Sequence, residues 1–136
     1  MADPKHIVRT AGTDWSQVWR GRHPFNPASE MRIVQLGGQT GLKRIGVNLI
    51  RIPPGKESFI PHAHSTSEEF VFVLEGAGEA VLDGVGHAVG PGDFVGFPID
   101  GVVHLQKRHY GNYIMTNMIC KTPLNYCKMS SQTRLK

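Results

Sequence analysis

Short apolar segments separated by turn signals run through the middle of this chain. The turns are predicted at Pro53–Gly55, Asp83-Gly84 and Gly90–Asp93, and the 136 residues include sixteen Gly and nine Pro. Strands that recur about every 8–12 residues with turns between them are typical of all-β sandwiches and barrels. We therefore predict an all-β domain with one hydrophobic core, because a chain of this length is long enough to bury one.

Alternation at every second residue marks the individual strands. Ile45, Val47 and Leu49 alternate in a predicted strand over residues 45–52, and the segment SFIPHAH (58–64) is predicted to form another. The next segment, EEFVFVLEG (68–76), is apolar on both faces and is predicted to be a buried strand. The segment TDWSQVW (13–19) fits either one helical turn or an edge strand.

Charge is distributed unevenly along the chain and divides it into three expected segments. All eleven acidic residues lie at or before Asp100, and six of the fifteen basic residues follow it. We expect an N-terminal arm over residues 1–30, a barrel over 31–105 and an atypical, irregular basic segment over 106–136. Because the net charge of +4 arises from this tail, we expect a solvated end and no nucleic-acid partner.

Composition also bears on the compartment. No apolar run approaches the roughly 18 residues that a membrane-spanning helix requires, so no membrane partner is expected. The first ten residues, MADPKHIVRT, lack the apolar stretch of a secretory signal. The chain has only two cysteines, Cys120 and Cys127, so we do not expect a disulfide framework. We therefore expect a cytoplasmic protein.

Four side chains have the chemistry and spacing of metal ligands. On a strand, His62 and His64 would project to one face with Cα atoms roughly 6.5–7 Å apart, close enough for both imidazoles to bind one ion. Glu69 begins the next strand and can add a carboxylate, and His104 is the candidate from a facing strand. Such a site leaves two of six positions for substrate, water or dioxygen.

At this point the residues resemble the two motifs of the cupin superfamily. The first motif is Gly, five residues, His-x-His, three or four residues, Glu, six residues and Gly. Here Gly55 is followed by six residues, His62, Ala63, His64, four residues, Glu69, six residues and Gly76. Only the first spacing differs, by one residue.

The second motif is Gly, five residues, Pro-x-Gly, two residues, His, three residues and Asn. The chain has Gly92, five residues, Pro98, two residues, Gly101, two residues and His104, and Arg108 replaces the Asn. The resemblance covers about residues 30–105. It implies a jelly roll, the double-stranded β-helix barrel, with a metal inside its mouth.

Carried over by position, the resemblance implies His62, His64, Glu69 and His104 as ligands of one divalent transition metal ion per chain. Manganese, iron, cobalt, nickel and zinc all suit imidazole and carboxylate donors. Glu68 competes with Glu69 only if the three-residue spacing applies. Glu68 and Glu57 are the candidates for an unligated catalytic acid or base.

The resemblance leaves several functions open, because related sites in this superfamily serve different chemistry. The first hypothesis is a metal-dependent enzyme of dioxygenase, decarboxylase or isomerase type acting on a small molecule. The alternative is a non-catalytic module that binds or senses a small molecule or metal, and the third is a barrel that has lost its chemistry. The resemblance and the need to protect edge strands both imply a homodimer.

The tail after His104 departs from the family, where further short strands close the barrel. Its composition changes together with its charge. Three explanations are open: a diverged terminal strand, a segment exchanged with a neighbouring subunit, and a shifted reading frame.

Overall fold

The structure, a computed structural model, describes residues 4–60, 62 and 67–98 and the backbone of residues 105–109 and 113–121. Within these residues it contains nine strands and one helical turn: β1 Arg20–His23, β2 Asn26–Gln35, α1 Leu36–Gln39, β3 Ile45–Ile52, β4 Ser67–Glu75, β5 Gly78–Leu82, β6 Val85–Val89, β7 Phe94–Phe97, β8 Leu105–His109 and β9 Tyr113–Lys121. In this described part of the chain, no helix is long and apolar enough to cross a lipid bilayer.

The strands form two antiparallel sheets around one core. The larger sheet has the order β1-β2-β3-β9-β4-β7, and the smaller has the order β6-β5-β8. Leu82 on β5 and Val89 on β6 pack against the buried cluster of the larger sheet, so the two sheets enclose the same apolar interior. This arrangement confirms the predicted all-β, jelly-roll class of fold.

The core consists of aliphatic side chains from β2, β3 and β4 and one aromatic ring from β7. Its buried members are Met31, Ile33, Ile50, Ile52, Val71, Val73 and Phe97. Burying a side chain of this size stabilises the fold by about 1.5–3 kcal/mol relative to leaving it in water. On β4 the buried residues recur at every second position from Ser67 to Val73, while the other face is half-buried or exposed, so only one face of the predicted buried strand is buried.

The predicted strand over residues 45–52 is confirmed as β3, and the residues that face its core are not the alternating set Ile45, Val47 and Leu49. Ile50 and Ile52 join the core cluster, whereas Ile45 is 38% exposed. Leu49 is buried, but on the opposite face from its neighbour Ile50. Because the end of this strand is apolar on both faces, alternation alone did not identify which face meets the core.

The predicted strand over residues 58–64 is wrong for residues 58–60, whereas His62 takes part in an isolated β-bridge. Ser58 to Ile60 lie outside the strands, and the preceding Glu57 forms only an isolated parallel bridge with Ser29. Pro61, within this segment, has no N–H to contribute to a ladder. The turn before it is confirmed, since Lys56 N–H donates to Pro53 O at 3.1 Å.

The hairpin turn at Asp83-Gly84 is confirmed. It joins β5 and β6, whose register pairs Leu82 with Val85. Both turn residues have positive φ, 48° for Asp83 and 81° for Gly84. That combination defines the tight turn whose twist matches an antiparallel hairpin, and Asp-Gly is among its favoured sequences.

Both expected domain boundaries fall at strands, and the described part of the tail belongs to the sheets. The expected boundary at residue 30 falls inside β2, and the one at residue 105 falls at the start of β8. β8 pairs with β5, and β9 lies between β3 and β4 and pairs with both. Of the three explanations for the tail, a diverged terminal strand agrees with this pairing. The segment from Asp14 to Val18 is a turn, in which Gln17 N–H donates to Asp14 O at 3.1 Å.

Candidate metal centre

Glu69 lies on the inner face of the large sheet. It occupies the third position of β4, where alternate residues are buried, and it is 8% exposed. Register places it opposite Phe97 of β7 on one side and Ile119 of β9 on the other. The antiparallel ladders on both sides fix the direction of this carboxylate toward the interior.

Glu68 lies on the other face of the same strand. It is exposed, whereas its neighbours Ser67 and Glu69 are both buried. Successive side chains of a strand point to opposite faces. A ligand on the inner face is therefore within the reach of Glu69 and not of Glu68.

His62 is half-buried and lies close to the backbone that precedes it. Its Nδ1 is 2.9 Å from Ile60 O. When Nδ1 carries the proton and donates to this carbonyl, the lone pair is on Nε2, which is how many metal-binding histidines are oriented. The local geometry therefore suits a ligand that binds through Nε2.

The other two expected ligands, His64 and His104, lie outside the described residues. Within the described part, no three His, Cys, Asp or Glu side chains are close enough together to hold an ion. The structure thus positions Glu69 and His62 individually. The donor chemistry fits a divalent transition ion, because imidazole and carboxylate are ligands that such ions accept.

Glu57 is tied to β2 by both its backbone and its side chain. Its N–H donates to Ala28 O at 3.0 Å, and its O accepts from Glu30 N–H at 3.0 Å. Its carboxylate oxygen Oε2 accepts a hydrogen bond from Asn26 Nδ2 at 3.1 Å. Glu57 is half-buried, and the hydrogen bond from Asn26 orients its carboxylate.

Sequence reasoning missed three polar residues near these positions. Ser67, two residues before Glu69, is 2% exposed on the same inner face. Asn48 alternates with the core residues Ile50 and Ile52, and register places it level with Asn117 of β9. Counting back by twos from Glu69 would have found Ser67. Asn26, in contrast, leaves no local signal, because its partner lies 31 residues away.

The comparisons with known proteins agree with this architecture. Residues 48–109 match the family model described as Cupin domain. A candidate sugar phosphate isomerase from Acidithiobacillus ferrooxidans is 28% identical, with a TM-score of 0.79, over 87% of this chain and 76% of that one. A sugar phosphate isomerase of the cupin superfamily from Silicibacter pomeroyi is 30% identical, with a TM-score of 0.69, over 81% of this chain and 75% of that one.

More distant structures share the fold alone. A predicted oxalate decarboxylase from Thermotoga maritima is 16% identical, with a TM-score of 0.63, over 85% of this chain and 99% of that one. No curated protein matches the sequence. The chain belongs to the cupin superfamily, as the two spaced motifs indicated.

Proposed function

We propose that this chain is a metal-dependent cupin enzyme that isomerises a sugar phosphate. The metal part of the proposal is carried by Glu69, whose carboxylate faces the interior at the position that the first motif gives to a ligand. The substrate class is supported by two similar proteins that are named for sugar phosphate isomerisation. Both are covered by this chain over three quarters of their length.

The proposed ligands are His62, His64, Glu69 and His104, and we propose one divalent ion per chain. An ion bound there would supply a Lewis acid that polarises a substrate carbonyl. Glu69 would contribute a negative charge from a rigid strand, and His62 would contribute Nε2 while Ile60 O accepts from Nδ1. Manganese, iron, cobalt, nickel and zinc all accept these imidazole and carboxylate donors.

Isomerisation moves a hydrogen between two neighbouring carbons, so the site needs a group that takes a proton and returns it. We propose Glu57 for this role in preference to Glu68. The Glu57 carboxylate is half-buried and oriented by Asn26, and Glu68 is exposed on the outer face of β4. The C–H bond at C2 breaks and one at C1 forms, with Glu57 holding that proton in between, and the hydroxyl proton passes from O2 to O1 as the carbonyl moves from C1 to C2.

A matched pair of variants tests this function. We expect the metal-loaded protein to interconvert an aldose phosphate and its ketose and to exchange the transferred hydrogen with deuterated water, as measured by NMR. Glu57→Gln keeps an oxygen that accepts from Asn26 but cannot take the proton, so activity should fall by about 10²–10⁴-fold with the metal retained. Glu68→Gln, the control, should have wild-type activity.

Other outcomes of the same assay would overturn parts of the proposal. Saturable binding of the sugar phosphate without turnover would favour the non-catalytic binding or sensing module. Equal loss of activity in both variants would argue against the role of Glu57. Release of carbon dioxide or consumption of dioxygen with another small acid would replace isomerisation by a different cupin chemistry.

We also propose that the chain forms a homodimer through the outer face of the large sheet. Phe94 is 61% exposed and Leu74 is 42% exposed on this face, and the rings of Phe70 and Phe94 are 5.1 Å apart. An exposed apolar cluster of this kind is stabilised when a second copy covers it. A cytoplasmic location remains part of the proposal and is supported by the two cysteines without a disulfide framework.

A further inference from the structure

The segment that leads to His62 is held by a residue far from it in sequence. Asn26, the first residue of β2, donates from Nδ2 to Glu57 Oε2 at 3.1 Å and to Phe59 O at 3.2 Å. Its Oδ1 accepts from Ala28 N–H at 3.0 Å. One amide side chain therefore joins the start of β2 to two points of the segment 57–60.

Backbone bonds to β2 and a ring contact also hold this segment. Residues 58–60 lie outside the strands, and the backbone bonds to β2 both involve Glu57. Beyond Glu57, the Phe59 ring lies 5.9 Å from the His23 ring, at a tilted angle. Asn26 thus holds the backbone at Phe59 O, three residues before the histidine.

The carbonyl that meets His62 belongs to the next residue along this segment. Phe59 O accepts from Asn26, and Ile60 O lies 2.9 Å from His62 Nδ1. Fixing Phe59 O restricts the peptide that precedes Ile60, and Ile60 O in turn selects the orientation of the imidazole. The path from Asn26 to His62 therefore runs through two consecutive residues.

We propose that Asn26 is a positioning residue for His62, which rests on the proposed metal-binding function. Asn26 does not contact the metal. It holds residues 57–60 in the conformation in which Ile60 O accepts from Nδ1, so that Nε2 is directed toward the site before the ion arrives. A ligand that is already ordered loses less conformational freedom on binding.

Two substitutions of Asn26 test whether it positions His62 or only stabilises the backbone around it. Asn26→Asp keeps an oxygen that can accept from Ala28 N–H but removes both Nδ2 donors and places a charge beside Glu57. Asn26→Ala removes all three interactions. Loss of an outer partner of a metal ligand weakens metal binding by about 10–100-fold, and we expect both variants to fall in that range.

Three measurements test the separate parts of this prediction. Competition with a chelator gives the metal affinity, and hydrogen exchange followed by mass spectrometry reports the opening of residues 57–60. The ¹⁵N shifts of the His62 ring give the tautomer in the metal-free protein. We expect weaker binding, faster exchange and loss of the Nδ1–H preference in both variants, with Tm close to wild type. Gln17→Ala, an exposed amide on the N-terminal turn, is the control and should change none of them.

The outcomes distinguish this inference from the proposed function. If the wild-type protein binds metal and Asn26→Asp binds it equally well, the positioning role is overturned and the function stands. If the wild-type protein binds no metal, the proposed function fails, and the His62 tautomer and the exchange of residues 57–60 still decide the role of Asn26. Unchanged tautomer and exchange in both variants would refute it. A drop in Tm with unchanged affinity would mean that Asn26 serves stability alone.

Discussion

Glu69 and His62 are two proposed ligands only seven positions apart in the sequence. Different interactions hold their side chains in place. Glu69 lies on β4, which is paired on both sides by β7 and β9. His62 follows a segment outside the strands, which accepts two hydrogen bonds from Asn26 and is joined to β2 through the backbone of Glu57. The hydrogen bonds between strands fix the orientation of a ligand on a paired strand. The orientation of a ligand after an irregular segment depends on contacts with individual side chains.

This difference separates changes that disturb the whole barrel from changes that disturb only the site. Substitutions beneath Glu69 should unfold the protein before they reorient the carboxylate. Substitutions around Asn26 should alter His62 while the barrel persists. Four further predictions test this contrast, from the largest expected effect to the smallest.

The barrel beneath the site should be sensitive to loss of core volume. Ile52 is fully buried (0% exposed), and Ile45 at the other end of β3 is 38% exposed. Ile52→Ala should reduce the free energy of unfolding by about 2–5 kcal/mol, since it removes buried methylene groups and leaves a cavity. Urea denaturation measures this, and Ile45→Ala is the matched control with a much smaller loss. Equal losses would mean that the two ends of β3 are buried alike.

The two adjacent glutamates on β4 should differ in metal binding. Glu69→Gln removes the inward charge of the proposed site and should weaken metal binding at least about 100-fold, beyond the range of an outer partner. Glu68→Gln changes the exposed face and should leave the ion content, measured by mass spectrometry, near one per chain. Metal retained in Glu69→Gln but lost in Glu68→Gln would reverse the faces assigned to β4.

The two ends of β7 should separate association from folding. Phe97 is 9% exposed in the core, and Phe94 is 61% exposed on the outer face. Phe94→Ser should convert the proposed dimer to a monomer, as read by light scattering, with little change in Tm. Phe97→Ser should instead lower Tm, because it leaves a cavity and a hydroxyl in the core. A Phe94→Ser protein that stays dimeric would place the interface elsewhere.

The N-terminal turn should give the smallest effect. Two hydrogen bonds from Ser16, from its hydroxyl and its backbone N–H, hold the pKa of Asp14 below its usual value of 3.8. A lowered folded pKa contributes stability above the unfolded pKa and loses it as pH falls through the folded value.

NMR titration of the Asp14 carboxyl should therefore show a midpoint below 3.8 that moves back toward 3.8 in Ser16→Ala. Because Asp14 is fully exposed, Tm between pH 3 and 5, measured on both proteins, should differ little between them. A midpoint that does not move would assign the shift to the Ser16 backbone N–H alone.

Several features were predictable because they depend on residues close together in the chain. The burial of Glu69 follows from its alternation with Val71 and Val73, and the hairpin follows from Asp83-Gly84. Local steric preferences and the period of two determine these features without reference to the rest of the fold.

Other features were not predictable because they depend on contacts between distant residues. Alternation on β3 marked Ile45, Val47 and Leu49, but the strand turns Ile50 and Ile52 toward the core. The segment 58–64 was predicted as a strand, yet residues 58–60 lie outside the strands and Phe59 O accepts from an amide at residue 26. The sequence signals for both were ambiguous. A strand that is apolar on both faces lacks the period-two pattern, and a proline within a segment interrupts strand pairing.

By itself, the sequence determined the all-β class, the pair of spaced motifs and the inward direction of Glu69. All of these arise from short-range alternation, turn chemistry and spacing along one chain. Only the tertiary structure decided that β9 lies between β3 and β4 and that Asn26 donates to the backbone of the segment before His62. Strand order and long-range hydrogen bonds depend on which faces can be buried together. That burial involves segments from the whole chain, so local sequence does not determine it.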